Sequence, residues 1–371
     1  MSHKADKSFF ESKRPWSKRK DHILGYYLEP YLAKVAKIGR PILIVDGFAG
    51  PGKFGDGELG SPLIICAKVQ GQLSRFSKID VLCFEAEPEL VGVLEENLSK
   101  FPFASCKQGT FLQNLFSVDE KAGTHTVFLY LDPFTVEGLE WAALDHIFGK
   151  ITNAGMSVEL LLNLNTPSFI RRALGALEIQ VPVPDPSAED TEEMDLPFSE
   201  APSIRRLDSV VGGEWWQHLI TPNGSFRHQV DLVAQGVCER LRERFSFVGS
   251  LAIKHLERHT VPKYHLVFAT NHRDGFSLMN DAMVKTRKNS VFSMDLFAVD
   301  DLRKLIIERA GDWIKRGELI LGVISSAFAT YTWAEIRGIV EEMLKTRALI
   351  SETGKSRIND DVRIRRALSG A

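Results

Sequence analysis

The residues in this chain best suited to chemistry lie in VDGFAGPGKFGDGELGSPL, residues 45–63. An apolar run ends at Asp46 and is followed by Gly47, Phe48, Ala49, Gly50, Pro51 and Gly52. Glycine lets the backbone turn sharply and lets a ligand approach the main chain, and the carboxyl edge of an open α/β sheet is where nucleotides bind. Three nucleotide readings compete here, beside a plain strand-to-helix turn that holds nothing. A GxxxxGK[ST] phosphate loop finds its gap between Gly47 and Gly52, but Phe54 follows Lys53, so the hydroxyl needed for magnesium is missing. A dinucleotide fingerprint wants its helix to open at the glycines, whereas KFGDGELG intervenes before Ser61. S-adenosylmethionine fits better, because a second acid, Glu85 in CFEAE, ends the next apolar run, where its carboxylate can accept from both ribose hydroxyls as charge-assisted bonds. Asp46 then orders the loop or meets the methionine ammonium. Gly109 and Thr110 follow the third apolar run, where adenine rests against small groups, and the adjacent Phe111 reads as core. The expected cofactor set is Asp46, Phe48, Gly50, Gly52, Glu85, Gly109 and Thr110, with no metal.

A second cluster, TVFLYLDPFTVEG (126–138), ends its apolar run in Asp132-Pro133-Phe134. Proline fixes the backbone beyond the strand, so Asp132 and Phe134 are aimed together into the crevice where substrate meets cofactor. Amino-methyltransferases acting on nucleobases place an acid or amide, one or two prolines and an aromatic here. The acid or a carbonyl accepts from the exocyclic amine and the aromatic stacks on the base, at about 1–3 kcal/mol per base. Methyl transfer is an in-line displacement, so alignment supplies most of the catalysis. DPF stands where those enzymes carry DPPY or NPPF, and the competing reading has Asp132-Pro133 merely capping a helix.

These groups need a sheet to hold them. PILIVD (41–46), IDVLCFEAE (79–87), ASCKQG (104–109), TVFLYLD (126–132) and SVELLLNLN (157–165) read as strands, with the near-continuous apolar character of a parallel sheet covered on both faces. Ser61-Pro62, Glu87-Pro88 and Thr166-Pro167 mark helix starts. The alternation predicts a Rossmann-like, doubly wound α/β sheet of the class I methyltransferase type with right-handed crossovers. FVGSLAIKHL (247–256) and KYHLVFAT (263–270) complete it as an antiparallel edge, after an insertion with a helix near 214–244. Past residue 318 the chain reads as helix, turn, helix and two short strands joined by Glu352-Thr353-Gly354-Lys355, with Thr332 and Glu335 as a capping box. That pattern resembles a winged helix, and a helical cap with a basic tail is its plain alternative. Three domains are expected: a basic helical arm at 1–40, the Rossmann-like domain at 41–290 and the C-terminal unit at 291–371.

The 371 residues carry 46 Lys and Arg against 48 Asp and Glu, with 44% hydrophobic and 25% charged residues, which excludes wholesale disorder, collagen and a disulfide scaffold. No apolar run approaches the roughly 20 residues that cross a bilayer, and the N-terminal residues lack a signal-peptide core, so a cytoplasmic protein with no membrane partner is expected. Cys66, Cys83, Cys106 and Cys238 lie far apart without metal-ligand spacing and read as reduced, mostly buried thiols. Lys18, Arg19 and Lys20 in the arm, and Arg363, Arg365 and Arg366 near the C-terminus, are the candidate contacts to DNA or RNA, against the plain reading of a solvated face. Between the two basic ends, QVPVPDPSAEDTEEMDLPFSEAPS (180–203) holds seven acids and five prolines and reads as a surface loop. In the arm, Ile23, Leu24, Tyr27, Leu28 and Tyr31 recur every three to four residues, the mark of an amphipathic helix docking beside the glycine loop. Trp16 and His22 are placed to help close the pocket.

The combination of FFESKRPWSKRKDHILGYYLEPYL (9–32), RPILIVDGFAGPGKFGDGELGSPL (40–63), FEAEPE (84–89) and LYLDPF (129–134) resembles the three-Cys-motif partner protein family, TcmP, over residues 8 to about 283. The resemblance implies a methyltransferase-like Rossmann protein encoded beside a partner that carries the three cysteines, so Cys66, Cys83 and Cys106 are not those of the name. A non-catalytic module that uses the same fold to recruit a protein or nucleic acid is the alternative reading.

Overall fold

Each of the expected apolar runs forms a strand. The computed structural model describes residues 10–133, 135–179, 203–255, 259–290 and 296–367, so nearly all of the acidic segment lies outside the described residues. The strands are β1 (Ile42–Asp46), β2 (Ile79–Glu85), β3 (Ala104–Gln108), β4 (Thr126–Leu131), β5 (Val158–Leu164), β6 (Phe247–Ile253) and β7 (Tyr264–Thr270). They form one sheet in the order β3-β2-β1-β4-β5-β7-β6. β1 to β5 run parallel, and β7 lies antiparallel between β5 and β6. This is a Rossmann-like, doubly wound α/β sheet with an antiparallel edge pair. Every residue of β1, β4, β5 and β7 is buried, as the unbroken apolar runs require of strands covered on both faces.

The helices before the C-terminal unit are α1 (Pro15–Val35), α2 (Ser61–Gln70), α3 (Pro88–Leu98), α4 (Leu115–Ala122), α5 (Trp141–Asn153), α6 (Thr166–Ala176), α7 (Ile204–Val211), α8 (Phe226–Arg242) and α9 (Arg273–Ser290). Proline opens α3 at its first residue and α2 and α6 at their second. α1, α2, α3 and α9 share one apolar cluster with one face of the sheet, and α4 to α8 share another with the opposite face. The helix expected near 214–244 is confined to α8, with a short 3-10 segment at Glu214–Leu219.

α1 is part of this layering and not an appended arm. Ile23, Leu24, Tyr27, Leu28 and Leu32 are wholly buried, and Tyr27 packs its ring against Phe128 of β4 and Phe268 of β7 at 5.7 and 5.2 Å. The helical spacing of those side chains is what turns a basic-looking segment into a cover for the sheet.

The C-terminal unit comprises α10 (Leu296–Arg309), β8 (Ile314–Lys315), α11 (Arg316–Ser326), α12 (Trp333–Lys345), β9 (Leu349–Ser351) and β10 (Arg363–Arg366), with its strands in the order β8-β10-β9. The Thr332–Glu335 capping box opens α12, and residues 352–362 join β9 to β10. Its core is continuous with that of α9, through rings such as Phe276 and Phe328 at 4.7 Å. Leu28→Ala should cost about 2–5 kcal/mol by removing methyl groups from a fully buried site, measured as a urea-unfolding midpoint. A loss under about 0.5 kcal/mol, the range of a surface substitution, would mean that α1 is an appendage.

Candidate active site

Strand periodicity gathers the polar candidates. Ile42 and Ile44 of β1 face the α1 layer, and with a period of two Asp46 follows them onto that face. The same alternation carries Glu85 after Val81 and Cys83, Asp132 after Phe128 and Tyr130, and Asn163 after Leu161. All four therefore stand at the carboxyl ends of neighbouring strands, with Asp132 and Asp46 next to Lys20 and Asp21 of the N-terminal half of α1.

Asp46 is wholly buried. Its Oδ1 accepts from the Phe48 N–H at 3.3 Å and its carboxylate from the Ser61 hydroxyl, while Oδ2 has no hydrogen-bond partner. Burial, helped by the nearby Asp132 and Asp21 and opposed by those two bonds, pushes its pKa up to about 7. The Tyr130 hydroxyl and Asn163 Oδ1 are also buried without a partner, and Tyr130 lies within the field of Asp46, Asp132 and Asp21. Buried polar atoms are nearly always satisfied, so orphans gathered at one sheet edge mark a place for a polar ligand or water.

Glu85 is 7% exposed. Its Oε2 accepts from the Gly50 N–H and its Oε1 from the Glu87 N–H, both at 2.8 Å. Burial raises its pKa against the pull of these bonds. The expected division of labour thus shifts: Glu85 itself ties down the glycine loop, with further lone pairs on both oxygens for a ligand. Gly50 and Gly52 take φ of +60° and +78°, which explains glycine at both. Residues 10–18 lie across this loop. The Gly55 N–H donates to the Phe10 carbonyl at 2.8 Å, the Phe10 ring rests on Gly50, and the Lys13 N–H donates to Asp56 Oδ2 at 2.9 Å.

Asp132 is held from two sides. Asn163 Nδ2 donates to its Oδ1 at 2.5 Å, and the Lys20 ammonium pairs with its Oδ2. Lys20 is 8% exposed and lies 5.9 Å from the centre of the Tyr264 ring. Burial works against its charge, but Asp132 and Asp21 outweigh that and raise its pKa. Lys13, 7% exposed, pairs with Asp21 at 2.5 Å. Two cations and two carboxylates thus share a largely dry pocket.

That arrangement takes Lys20 out of the arm's expected nucleic-acid face. Lys20 is inside the crevice, Lys18 pairs with Glu58 at 2.8 Å and Arg19 donates to the Lys254 carbonyl at 3.0 Å. Arg363 and Arg366 are exposed, and the half-buried Arg365 stacks on Trp313 with its guanidinium 4.9 Å from the ring centre. Thr110 is exposed and Gly109, at φ +117°, is half-buried, while Phe111 is core. Phe48 is half-buried against Gly138 beside Pro133. Phe134 lies outside the described residues. Trp16 packs edge-on against His255 at 4.7 Å, and the Tyr264 hydroxyl donates to the Trp16 carbonyl at 2.7 Å. Among the described residues no group of three His, Cys, Asp or Glu side chains is placed to hold a metal, and no helix is long and apolar enough to cross a membrane.

The sequence reading missed Asn163 and Tyr264 as site residues, and it set Lys20 among contacts to nucleic acid and not in the crevice. The signal for Lys20 was present: it precedes Ile23, Leu24, Tyr27 and Tyr31 by three, four, seven and eleven residues, the spacing of α1's buried face.

The sequence matches no known protein family and no curated protein. Solved structures with related chain paths include the plantazolicin methyltransferase BamL, in complex with a triazolic desmethylPZN analogue and SAH, at TM-score 0.32 and 14% identity over 72% of this chain and 90% of that one. PKMT2 from Rickettsia typhi gives 0.31 and 9% over 87% and 74%. The CMeT domain of the citrinin polyketide synthase gives 0.25 and 11% over 63% of this chain and 47% of that one, so this chain spans about half its length. Likeness at this level bears on no residue or reaction here.

Two outcomes check the site. Between about pH 4 and 7 folded Asp46 keeps a proton that an unfolded Asp, at 3.8, has released, so unfolding free energy should fall as pH rises through that window and then level. Asp46→Asn should flatten that slope in part, since Glu159, also about 7, keeps its share; urea titrations across the window giving parallel curves for both proteins would refute the assignment. Lys20→Met removes the cation paired with the buried Asp132 and should cost about 3–5 kcal/mol. Adding Asp132→Asn should recover part of that loss, and simple additivity would show that the two side chains do not interact.

Proposed function

We propose that this protein is an S-adenosylmethionine-dependent methyltransferase that modifies an amine of a nucleic acid. The observation that carries the reading is the orphaned Oδ2 of Asp46, buried beside Glu85 and Asp132 at the carboxyl edge of the sheet. A buried carboxylate oxygen without a partner is costly, and a ligand ammonium would satisfy it. The remaining lone pairs of Glu85 suit two ribose hydroxyls, while Gly50 and Gly52 keep the loop's backbone close enough to line the site. Bound there, the sulfonium would supply an electrophilic methyl group.

On this reading Asp132 and Asn163 orient the acceptor nitrogen, and the Lys20 ammonium holds the place of that amine until it arrives. The resemblance to the three-Cys-motif partner family supports a partner protein encoded nearby, and the free cysteines, of which Cys66, Cys83 and Cys238 are buried and Cys106 half-buried, agree with a reducing, cytoplasmic setting.

The alternative reading, a non-catalytic adaptor, draws on one specific observation: both oxygens of Asp132 are already engaged by Lys20 and Asn163. Isothermal titration separates the two. Wild-type protein should give a saturable heat with S-adenosylmethionine, weakened at least about tenfold, or 1.4 kcal/mol, by Glu85→Ala. Tritiated cofactor should then label a DNA or RNA pool in an Asp132-dependent way. Absence of binding at millimolar cofactor would end the enzymatic reading, and binding without labelling of any DNA, RNA or protein pool would favour the adaptor.

A further inference from the structure

We propose that residues 10–22 form a lid over the crevice, hinged at Ile23, which swings off the glycine loop and the sheet edge while the rest of α1 stays packed. What the lid admits, S-adenosylmethionine, rests on the function proposed above, but its opening does not. Asp46 Oδ2, Asn163 Oδ1 and the Tyr130 hydroxyl are buried without a partner at the bottom of the crevice. A ligand reaches atoms sealed from solvent only when their cover moves.

The chain changes character at Ile23. Between residues 10 and 22 the buried side chains are Lys13, Ser17, Lys20 and Asp21, all of them polar. From Ile23 to Val35 every buried side chain is hydrophobic. The two kinds of burial differ in what it costs to undo them. Exposing apolar side chains forfeits transfer free energy in proportion to area, whereas buried charges that part regain their hydration, so opening to water returns much of what the pairing supplied. The half-buried rings of Phe10, against Phe54 at 6.0 Å, and Trp16, against His255 at 4.7 Å, are the lid's only aromatic anchors.

Polar bonds make up the rest of the seat. The Phe10 carbonyl accepts from the Gly55 N–H at 2.8 Å, the Lys13 N–H donates to Asp56 at 2.9 Å, and Lys18 pairs with Glu58 at 2.8 Å. Farther along, the Trp16 carbonyl accepts from the Tyr264 hydroxyl at 2.7 Å, Arg19 donates to the Lys254 carbonyl at 3.0 Å, and Lys20 pairs with Asp132. The helix adds little of its own at this end. Arg14 stands at the N-cap without a side-chain cap bond, and the first turn holds no acid. Arg14 and Lys18 are therefore placed where the helix dipole disfavours cations. The opening turns of α1 are held from outside, by the loop and the crevice they cover. Lys18 and Glu58 are both substantially exposed, at 41% and 46%, so this latch can be broken without touching the crevice.

The test uses the full chain without cofactor. In native-state hydrogen exchange the amides of Arg19, Lys20, Asp21 and His22 should open as one group, at least about tenfold faster than those of Leu24 to Leu32. Glu58→Lys sets a like charge against Lys18 and should speed that group by about threefold or more, since an exposed pair contributes up to roughly 1 kcal/mol. Acetic anhydride labelling of the Lys20 amine, read by mass spectrometry, should accelerate by the same factor, while labelling of the exposed Lys34 and the melting temperature stay as in the wild type. Protection that rises smoothly from Arg19 to Leu32 without a step at Ile23, or Lys20 labelling indifferent to Glu58→Lys, would overturn the lid. Calorimetry with S-adenosylmethionine on the same preparation keeps the two readings apart. A step in exchange without a heat of binding ends the methyltransferase and leaves the lid, and a heat without the step does the reverse.

Discussion

The ion pair between Lys20 and Asp132 is the contact on which the rest of the site depends. Isolated charges cannot be buried without large cost, and paired ones are tolerated only when geometry and hydrogen bonds complete them. Lys20 meets Asp132, Asn163 braces the same carboxylate, and Lys13 answers Asp21. These bonds fix the rotation of α1 about its axis, and the rotation in turn decides which of its residues cover the sheet. A helix positioned by apolar packing alone could slide by a turn. One that must also seat the Lys20 ammonium and the Asp21 carboxylate has a single register.

Much of the architecture was legible because apolar runs bounded by glycine, proline and acids specify a parallel sheet with few alternatives. The strands ending in Asp46 and Glu85, and the antiparallel pair after residue 246, appear where the sequence places them. The basic N-terminal segment was harder to read. By count, Lys18, Arg19 and Lys20 form a cationic run; by helical angle, Lys20 belongs with Ile23, Leu24 and Tyr27. Composition sums over all faces of a helix, while burial selects one. Asn163 was hidden differently, as a lone amide inside SVELLLNLN whose partner, Asp132, lies on the neighbouring strand 31 residues away.

Glu85 shows a related limit. Its place at the end of β2 was readable, but its bonds to the Gly50 and Glu87 N–H groups are tertiary facts that no spacing encodes. A carboxylate that orders the loop and faces the crevice makes loop geometry and ligand affinity respond to the same change. The segment from Phe10 to Lys18 adds a further layer by lying across that loop, so the first described residues of the chain and its most glycine-rich turn form one structural piece.

The bond from the Tyr264 hydroxyl to the Trp16 carbonyl spans 248 positions of sequence. On a ribosome adding roughly 5–20 residues per second, the first helix leaves the exit tunnel on the order of ten seconds to nearly a minute before the strand that anchors it. During that interval its greasy side and its inward-facing Lys20 have no native home, and they are available to a chaperone or to a neighbouring nascent chain. Premature termination anywhere before β7 would leave the carboxyl edge of the sheet without its lid.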